Sequence, residues 1–235
     1  MTRQLLLDLM EPPPPTLDNF VVGKNAQALD AVRRRGPGRA IYLWGAPGSG
    51  RSHLLKALGA TAGGLYFRPG DEAEILRDIA TAETVTLTLI AVDDVEQLDA
   101  AAQASLFALY NRWREASATA QAFALLLAGD RAPRAMPLRE DLRTRLGWDL
   151  VFRLEQLPDE DRAEALRQRA DERGLRLSSE VTAWILTHYA RDMSKLNALL
   201  DALDRYSLER QRPITLPLLK DLLATSQTSS DTSSL

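Results

Sequence analysis

The sequence predicts an α/β protein with a parallel, doubly wound sheet, followed by a smaller domain made only of helices. Two observations predict the sheet: apolar segments alternate with amphipathic ones, and the first apolar segment runs directly into a glycine-rich turn and a helix. A third observation sets a boundary, because beyond Pro158 only helical periodicity remains. We therefore expect an N-terminal segment at residues 1–15, an α/β domain at 16–156, a helical domain at 157–224 and a disordered tail at 225–235.

The composition excludes several classes of protein. The chain has 235 residues, of which 45% are hydrophobic and 26% charged, so it can bury a full α/β core. Its net charge of −3 disfavours a dominant nucleic-acid surface, and no direct sequence-specific DNA binding is expected. The sequence has no cysteine, which excludes disulfides and a catalytic thiol. No apolar run approaches the roughly 20 residues of a membrane span, so we expect a cytoplasmic protein without membrane contact.

The glycine-rich turn is the first candidate site. It joins an apolar strand pattern at residues 41–44 to a helix, and it consists of Gly45, Ala46, Pro47, Gly48, Ser49, Gly50, Arg51 and Ser52, with His53 following. Backbone N–H groups of such a turn and the positive end of the helix dipole converge on an anion. The turn matches the P-loop pattern G-x-x-x-x-G-K-[ST], except that Arg51 replaces the lysine. Arginine brings a planar fork, so we expect nucleotide binding with weak hydrolysis.

Carboxylates at two later strand ends complete the predicted site. The apolar run 86–92 closes on Asp93 and Asp94, and a further apolar run at 122–127 is followed by Asp130. Parallel strands end at one edge of the sheet, so Asp130 is expected to face the phosphates. Ser52 and Asp93 are expected to hold Mg²⁺, Asp93 through water, while Asp94 is placed to polarise the attacking water. The glycine-rich turn and these carboxylates together predict a nucleoside-triphosphate site.

The N-terminal segment has a pattern of its own. Gln4, Leu5, Leu7 and Leu9 precede four prolines at 12–15, which hold the backbone extended. The apolar peptide either docks on its own domain or a dimer mate, or is a recognition peptide whose leucines enter a partner's pocket. It resembles the short motif with which replication proteins bind the bacterial sliding clamp.

Several motifs together resemble the AAA+ family of the bacterial replication initiator DnaA. They are the Arg51 loop, the Asp93–Asp94 strand end, residues 129–133, the box at 145–148 and the helical lid, with residues 17–23 similar to the family's entry motif beside the adenine. Within this family the chain is most similar to the Hda group, the regulatory inactivators of DnaA. The likeness rests on the clamp-type peptide, Arg51, and a chain that stops after the lid without a helix-turn-helix domain.

The resemblance implies a function in trans. Hda-like proteins bind ADP, dock on the DNA-loaded sliding clamp, which is the beta subunit of DNA polymerase III, and promote hydrolysis of the ATP held by DnaA, so that initiation cannot fire twice. For this chain we expect ADP or ATP as the bound nucleotide, together with Mg²⁺. Phe20 and Val22 would lie beside the adenine, Arg145 would be the arginine finger, and a homodimer or homo-oligomer is expected. The alternative is a self-sufficient ATPase of the helicase-loader type acting in DNA replication.

One position departs from the family pattern. The lid motif of DnaA-like proteins carries an arginine that touches the nucleotide phosphates, and this sequence has Ser194 there. Either Lys195 or Arg191 substitutes for it, or phosphate sensing by the lid is weakened.

Overall fold

The computed structural model describes residues 14–189 and 193–230, apart from the side chains of residue 194 and of 225–230. The chain divides into two compact units, one of residues 15–156 and one that begins at Leu157. The predicted clamp-binding peptide with Gln4, Leu5, Leu7 and Leu9 lies outside the described residues, and so does Arg191. None of the described helices has the length and apolar character needed to cross a bilayer.

The first unit alternates strands and helices along the chain. In order, the elements are α1 (Ala26–Arg33), β1 (Ala40–Trp44), α2 (Arg51–Gly59), β2 (Gly64–Phe67), α3 (Ala73–Thr81), β3 (Leu89–Val92), α4 (Ala100–Ala116), β4 (Ala124–Gly129), α5 (Glu140–Arg145) and β5 (Leu150–Arg153). The strands form one parallel sheet in the order β2-β3-β4-β1-β5. This confirms the predicted α/β class and its doubly wound parallel sheet.

Both faces of the sheet are covered, as expected for strands with almost wholly apolar sequences. On one face α1 and α2 pack over Ile41, Leu43 and Leu126. On the other face α3, α4 and α5 pack over Tyr42, Leu125 and further buried residues. All five strands are parallel and β3, β4 and β1 are neighbours, so the loops that follow them leave from the same, carboxyl edge of the sheet. The strand order reverses at β1, which lies between β4 and β5, and ligands of such sheets bind at this point. The candidate site belongs to this edge.

Asn25 stands directly before α1, but its side chain makes no capping hydrogen bond to the helix. Its amide instead donates to the carbonyl of Glu155 at 2.9 Å and accepts from the Glu155 N–H at 2.8 Å. The side chain is buried, so these two bonds satisfy an amide that would otherwise lie unpaired in the interior. Asn25 therefore ties the start of α1 to the chain just after β5.

The second unit consists of α6 (Asp159–Glu172), α7 (Ser179–His188), α8 (Met193–Arg210) and α9 (Leu216–Ser230). Its own core includes Leu166, Ile185, Leu199 and Leu219. Helix α9 continues to Ser230, whereas a disordered tail is predicted from residue 225. Extending an existing helix adds one hydrogen bond for each residue fixed, so polar residues can continue it. Residues 231–235 of the predicted tail lie outside the described residues.

Candidate functional site

The glycine loop joins β1 to α2 in a conformation that only glycine accepts at three positions. Gly48 and Gly50 have φ of +80° and +96°, in the left-handed region. A Cβ on Gly50 would lie 2.5 Å from Cε2 of Phe20, and a Cβ on Gly45 would lie 2.4 Å from the carbonyl oxygen of Leu154. The loop is thus shaped by close contact with its neighbours, while Ala46, Pro47 and Gly48 stay exposed to solvent.

Two polar groups of this loop are buried with no hydrogen-bond partner among the described residues. They are the hydroxyl of Ser49 and the Nη1 nitrogen of Arg51. Leaving such groups unpaired in the interior costs free energy, and they persist where a ligand or water completes them. Phosphate oxygens are suitable acceptors for both, and helix α2 begins at Arg51 with its positive dipole end towards the loop. The loop therefore fits the phosphates of a nucleotide.

The carboxylates after β3 are both engaged with neighbouring groups. Asp93 is buried, and it accepts hydrogen bonds from the Tyr66 hydroxyl at 2.8 Å and from the N–H of Asp94 at 3.0 Å. Burial beside this carboxylate raises the pKa of Tyr66. Asp94 has a left-handed φ of 42°, and its Oδ1 lies 3.4 Å from Nη2 of Arg51. Residues 51 and 94, which are distant in sequence, thus form an ion pair across the candidate site.

The protonation equilibria of these groups reflect the crowding of negative charge. Burial and the neighbouring Asp93 raise the pKa of Asp94, while the Arg51 guanidinium opposes that shift. Burial also raises the pKa of Glu96, whose Oε2 accepts from the Asp130 N–H at 3.3 Å. The sequence prediction did not include Tyr66 or Glu96, because nothing in the local pattern distinguishes them from ordinary strand and turn residues.

Asp130 follows β4, as predicted, but its carboxylate is paired within its own turn. It accepts two hydrogen bonds from the Arg131 guanidinium, at 2.8 and 2.5 Å. These bonds hold the pKa of Asp130 below its usual value. Its predicted contact with the phosphates stays a prediction. Hard oxygen ligands suit Mg²⁺, which is usually held by one or two side chains together with substrate phosphates and water. The hydroxyl of Ser52 and the carboxylate of Asp93 fit that chemistry and remain its predicted ligands.

The residues predicted to lie beside the adenine pack against the loop from the side of α1. Phe20 is buried, and its ring lies 5.6 Å from that of His53. The Nε2 atom of His53 is hydrogen-bonded to the carbonyl of Thr16 at 2.8 Å. Val22 is half-buried on the same core. These contacts fix the segment that leads into α1, and the contact of Phe20 and Val22 with a base is a prediction.

Arg145, the predicted arginine finger, is the last residue of α5 and is half-buried. Its Nη2 donates to Oδ1 of Asn111 at 2.9 Å, and its guanidinium carbon lies 3.8 Å from the centre of the Phe107 ring and 4.8 Å from that of Trp148. Trp148 itself is 40% exposed. Stacking on aromatic faces holds the guanidinium plane in one orientation at the edge of the unit.

In the second unit, the side chain of Lys195 is exposed on α8. It is one of the two residues predicted to replace the arginine of the lid motif. The other, Arg191, lies outside the described residues, as does the side chain of Ser194.

Residues 159–223 match the family model described as Hda, lid domain. Among solved structures, domain III of the Thermotoga maritima replication initiation protein DnaA is 20% identical with a TM-score of 0.66, over 90% of this chain and 98% of that one. The AMPPCP-bound DnaA from Aquifex aeolicus is 22% identical with a TM-score of 0.62, over 83% of this chain and 68% of that one. Residues 159–223 are thus similar to the lid domain of Hda, and the chain shares the AAA+ fold of the DnaA structures.

The AAA+ fold is also shared with the Thermotoga maritima RuvB Holliday junction branch migration motor. That structure is 16% identical, with a TM-score of 0.61 over 92% of this chain and 72% of that one. Identities this low show the fold alone. The match to the Hda lid model is confined to residues 159–223.

Proposed function

We propose that this chain is a regulator of chromosomal replication initiation, which binds an adenine nucleotide and the DNA-loaded sliding clamp and promotes hydrolysis of the ATP held by DnaA. The observation that carries the proposal is the Hda lid domain that follows the AAA+ unit. The clamp would be bound through Gln4, Leu5, Leu7 and Leu9, in the N-terminal peptide. ADP or ATP would lie in the loop 45–52, with Mg²⁺ on Ser52 and Asp93.

Two features of the first unit, residues 15–156, favour stimulation of ATP hydrolysis in another protein over hydrolysis of the nucleotide bound to this chain. Asp94, at the position expected to polarise water, is paired with Arg51 at 3.4 Å. This contact engages Oδ1 of Asp94, so that oxygen is not free to orient an attacking water. Arg145, in contrast, presents a guanidinium stacked between Phe107 and Trp148. Inserted beside the γ-phosphate of a neighbouring protein, a guanidinium stabilises the charge of the transition state, an effect of about 10³ to 10⁵ in rate.

The test follows labelled ATP bound to DnaA, with clamp loaded on DNA, and measures its hydrolysis with and without this protein. We expect acceleration only when the loaded clamp is present. Replacing Gln4 and Leu5 by alanine should abolish retention on immobilised clamp and leave nucleotide binding unchanged. If this protein instead turns over ATP by itself and leaves DnaA-bound ATP untouched, the helicase-loader alternative is the better account.

Arg145→Ala tests the finger in the same assay. We expect stimulation to fall to the level without added protein, because no other group would replace the guanidinium. Arg143→Ala, a change on the same helix, is the matched control and should retain stimulation. Circular dichroism checks that the loss of stacking on Phe107 leaves the fold intact, and Arg145→Lys, which keeps the charge without the planar stack, gives a second readout. Full stimulation by Arg145→Ala would assign the finger to another arginine.

A further inference from the structure

Three carboxylates follow β3 and β4 at the carboxyl edge of the sheet, and they differ in what holds them. Asp94 and Asp130 are each paired with an arginine. Asp93 is buried and forms no ion pair with any of the described residues, and its two hydrogen-bond donors, the Tyr66 hydroxyl and the N–H of Asp94, are neutral. Buried carboxylates in proteins are normally paired with a cation or coordinate a metal, so Asp93 is the one of the three suited to an added cation.

Tyr66 fixes the orientation of the Asp93 carboxylate. Its hydroxyl donates to Oδ2 at 2.8 Å, while the N–H of Asp94 donates to Oδ1 at 3.0 Å. With one hydrogen bond on each oxygen, the plane of the carboxylate cannot rotate without breaking both bonds in a buried site. Each carboxylate oxygen has two lone pairs, so one on each oxygen remains to accept from a water molecule.

Tyr66 is itself held between β3 and α2. It is paired with Ala91 of β3, and its side chain reaches past the end of that strand to Asp93. Gly59, the last residue of α2, permits this arrangement, because a Cβ there would lie 2.5 Å from Cβ of Tyr66. Lys56 of the same helix lies over the ring, with its Nζ atom 5.8 Å from the ring centre. The helix that follows the glycine loop therefore supports the ring that orients Asp93.

We propose that Tyr66 is a positioning residue for the predicted Mg²⁺ site and acts through Asp93. Mg²⁺ requires near-octahedral geometry, so a carboxylate that holds its water shell must have a fixed direction. A neutral donor suits this role, because it orients the carboxylate without competing with the ion for its charge. The proposal rests on the proposed function in that the loop binds an adenine nucleotide together with Mg²⁺, and it requires neither DnaA nor the clamp.

Isothermal titration calorimetry with ADP, in saturating Mg²⁺ and in EDTA, tests the role of Tyr66. By linkage, the ratio of the two ADP affinities reports how tightly protein-bound ADP holds the ion relative to free ADP. We expect Tyr66→Phe to lower this ratio about tenfold, at the lower end for groups that support a metal ligand, because Asp93 is expected to reach the ion through water. The ADP affinity in EDTA should not change.

A double-mutant cycle shows whether the hydroxyl acts through the carboxylate. Asp93→Asn should lower the ratio at least as much as Tyr66→Phe does. Adding Tyr66→Phe to Asp93→Asn should then change nothing further, because the group that the hydroxyl orients is already lost. A hydroxyl that served only the stability of the fold would leave the ratio unchanged in both backgrounds.

Tyr42→Phe is the matched control. Tyr42 is also a strand tyrosine, but its hydroxyl donates to the backbone carbonyl of Arg131, at 2.7 Å, and not to a carboxylate. Both variants should lose stability in urea, whereas only Tyr66→Phe should lose the Mg²⁺ response. Gly59→Ala provides the measurement if Tyr66→Phe does not fold, because its methyl group displaces the ring and keeps the hydroxyl; it should lower the ratio as well.

Four results would overturn the proposal: no binding of ADP, no effect of Mg²⁺ on the wild-type protein, an unchanged ratio in Tyr66→Phe, or a further loss when Tyr66→Phe is added to Asp93→Asn. The outcome is separate from that of the DnaA assay. An unchanged ratio in Tyr66→Phe together with stimulated hydrolysis of DnaA-bound ATP would reject the role of Tyr66 alone. A lowered ratio in Tyr66→Phe without any stimulation by the wild-type protein would reject the proposed function alone.

Discussion

At the scale of single residues, Asp94 combines a left-handed backbone with a carboxylate whose ionised form the fold disfavours. Its φ is 42°, a conformation that is rare outside glycine and is frequent at functional sites. Burial and the adjacent Asp93 raise its pKa, and Arg51 only partly opposes that shift. Asp130, at the end of the neighbouring strand, has the opposite balance, because its bonds to Arg131 lower its pKa.

These opposite shifts predict opposite pH dependences for two matched variants. The pKa of Asp94 is higher in the folded than in the unfolded state, so its ionisation costs stability above that pKa, and the cost vanishes as both states become protonated in acid. Asp94→Asn should therefore be more stable than wild type at neutral pH, with the difference shrinking as the pH falls through the folded pKa. Urea denaturation of both proteins between pH 7 and about 4, near ordinary carboxyl pKa values, measures this difference in the free energy of unfolding.

Asp130→Asn should show the reverse sign. The lowered pKa means that ionised Asp130 contributes stability above its unfolded pKa, and that contribution is lost as the pH falls through the folded value. This variant should be less stable than wild type at neutral pH and should approach wild type in acid. If the free energy of unfolding of the two variants, relative to wild type, changed with pH in the same way, the opposite pKa shifts assigned to Asp94 and Asp130 would be wrong.

At the scale of secondary-structure elements, Asn25 connects α1 with the chain after β5. Its two hydrogen bonds to Glu155 join residues that are 130 positions apart. Glu155 and Gln156 lie at the carboxyl edge, and the Gln156 side chain donates to the carbonyl of Pro47 in the glycine loop at 2.5 Å. The anchoring of α1 and the position of the loop thus depend on the same short segment.

Asn25→Ala should lower the free energy of unfolding by about 2 to 4 kcal/mol, because it leaves the N–H and the carbonyl of Glu155 without their partner. Gln27→Ala is the matched control: it removes an amide from an exposed position of the same helix and should change stability by less than about 0.5 kcal/mol. Chemical denaturation measures both. Equal effects of the two substitutions would mean that the Glu155 bonds contribute little.

The elements that could be predicted from the sequence are those determined by residues close together along the chain. The strand, glycine loop and helix around residues 41–59, and the apolar run before Asp93, follow from periodicity and from residues with special backbone freedom. Asn25 shows the limit, because an asparagine just before a helix suggests a cap, whereas its actual hydrogen-bond partner is Glu155, 130 positions away. Tyr66 and Glu96 were missed for the same reason, since only strand pairing brings Tyr66 to Asp93 and only the turn after β3 brings Glu96 to Asp130.

At the scale of the whole molecule, each of the two units has a hydrophobic core of its own. The cores on the two faces of the sheet consist of residues of the first unit, and the helical core runs from Leu166 to Leu222. In the helical unit, α8 contributes the fully buried Leu196, Leu199, Leu200 and Leu203. A unit with its own core meets the basic requirement for folding as a domain.

We therefore expect residues 157–235, produced alone, to give a helical circular dichroism spectrum and a cooperative thermal transition. Small domains have little stability to spare, and truncating one fully buried leucine typically costs about 2 to 5 kcal/mol. Leu199→Ala should accordingly abolish most of the cooperative transition. Leu208→Ala is the control, because Leu208 lies on the same helix and is 70% exposed. A fragment without a transition would mean that the helical core depends on residues of the first unit, whereas equal losses in both variants would mean that burial on α8 does not stabilise the fragment.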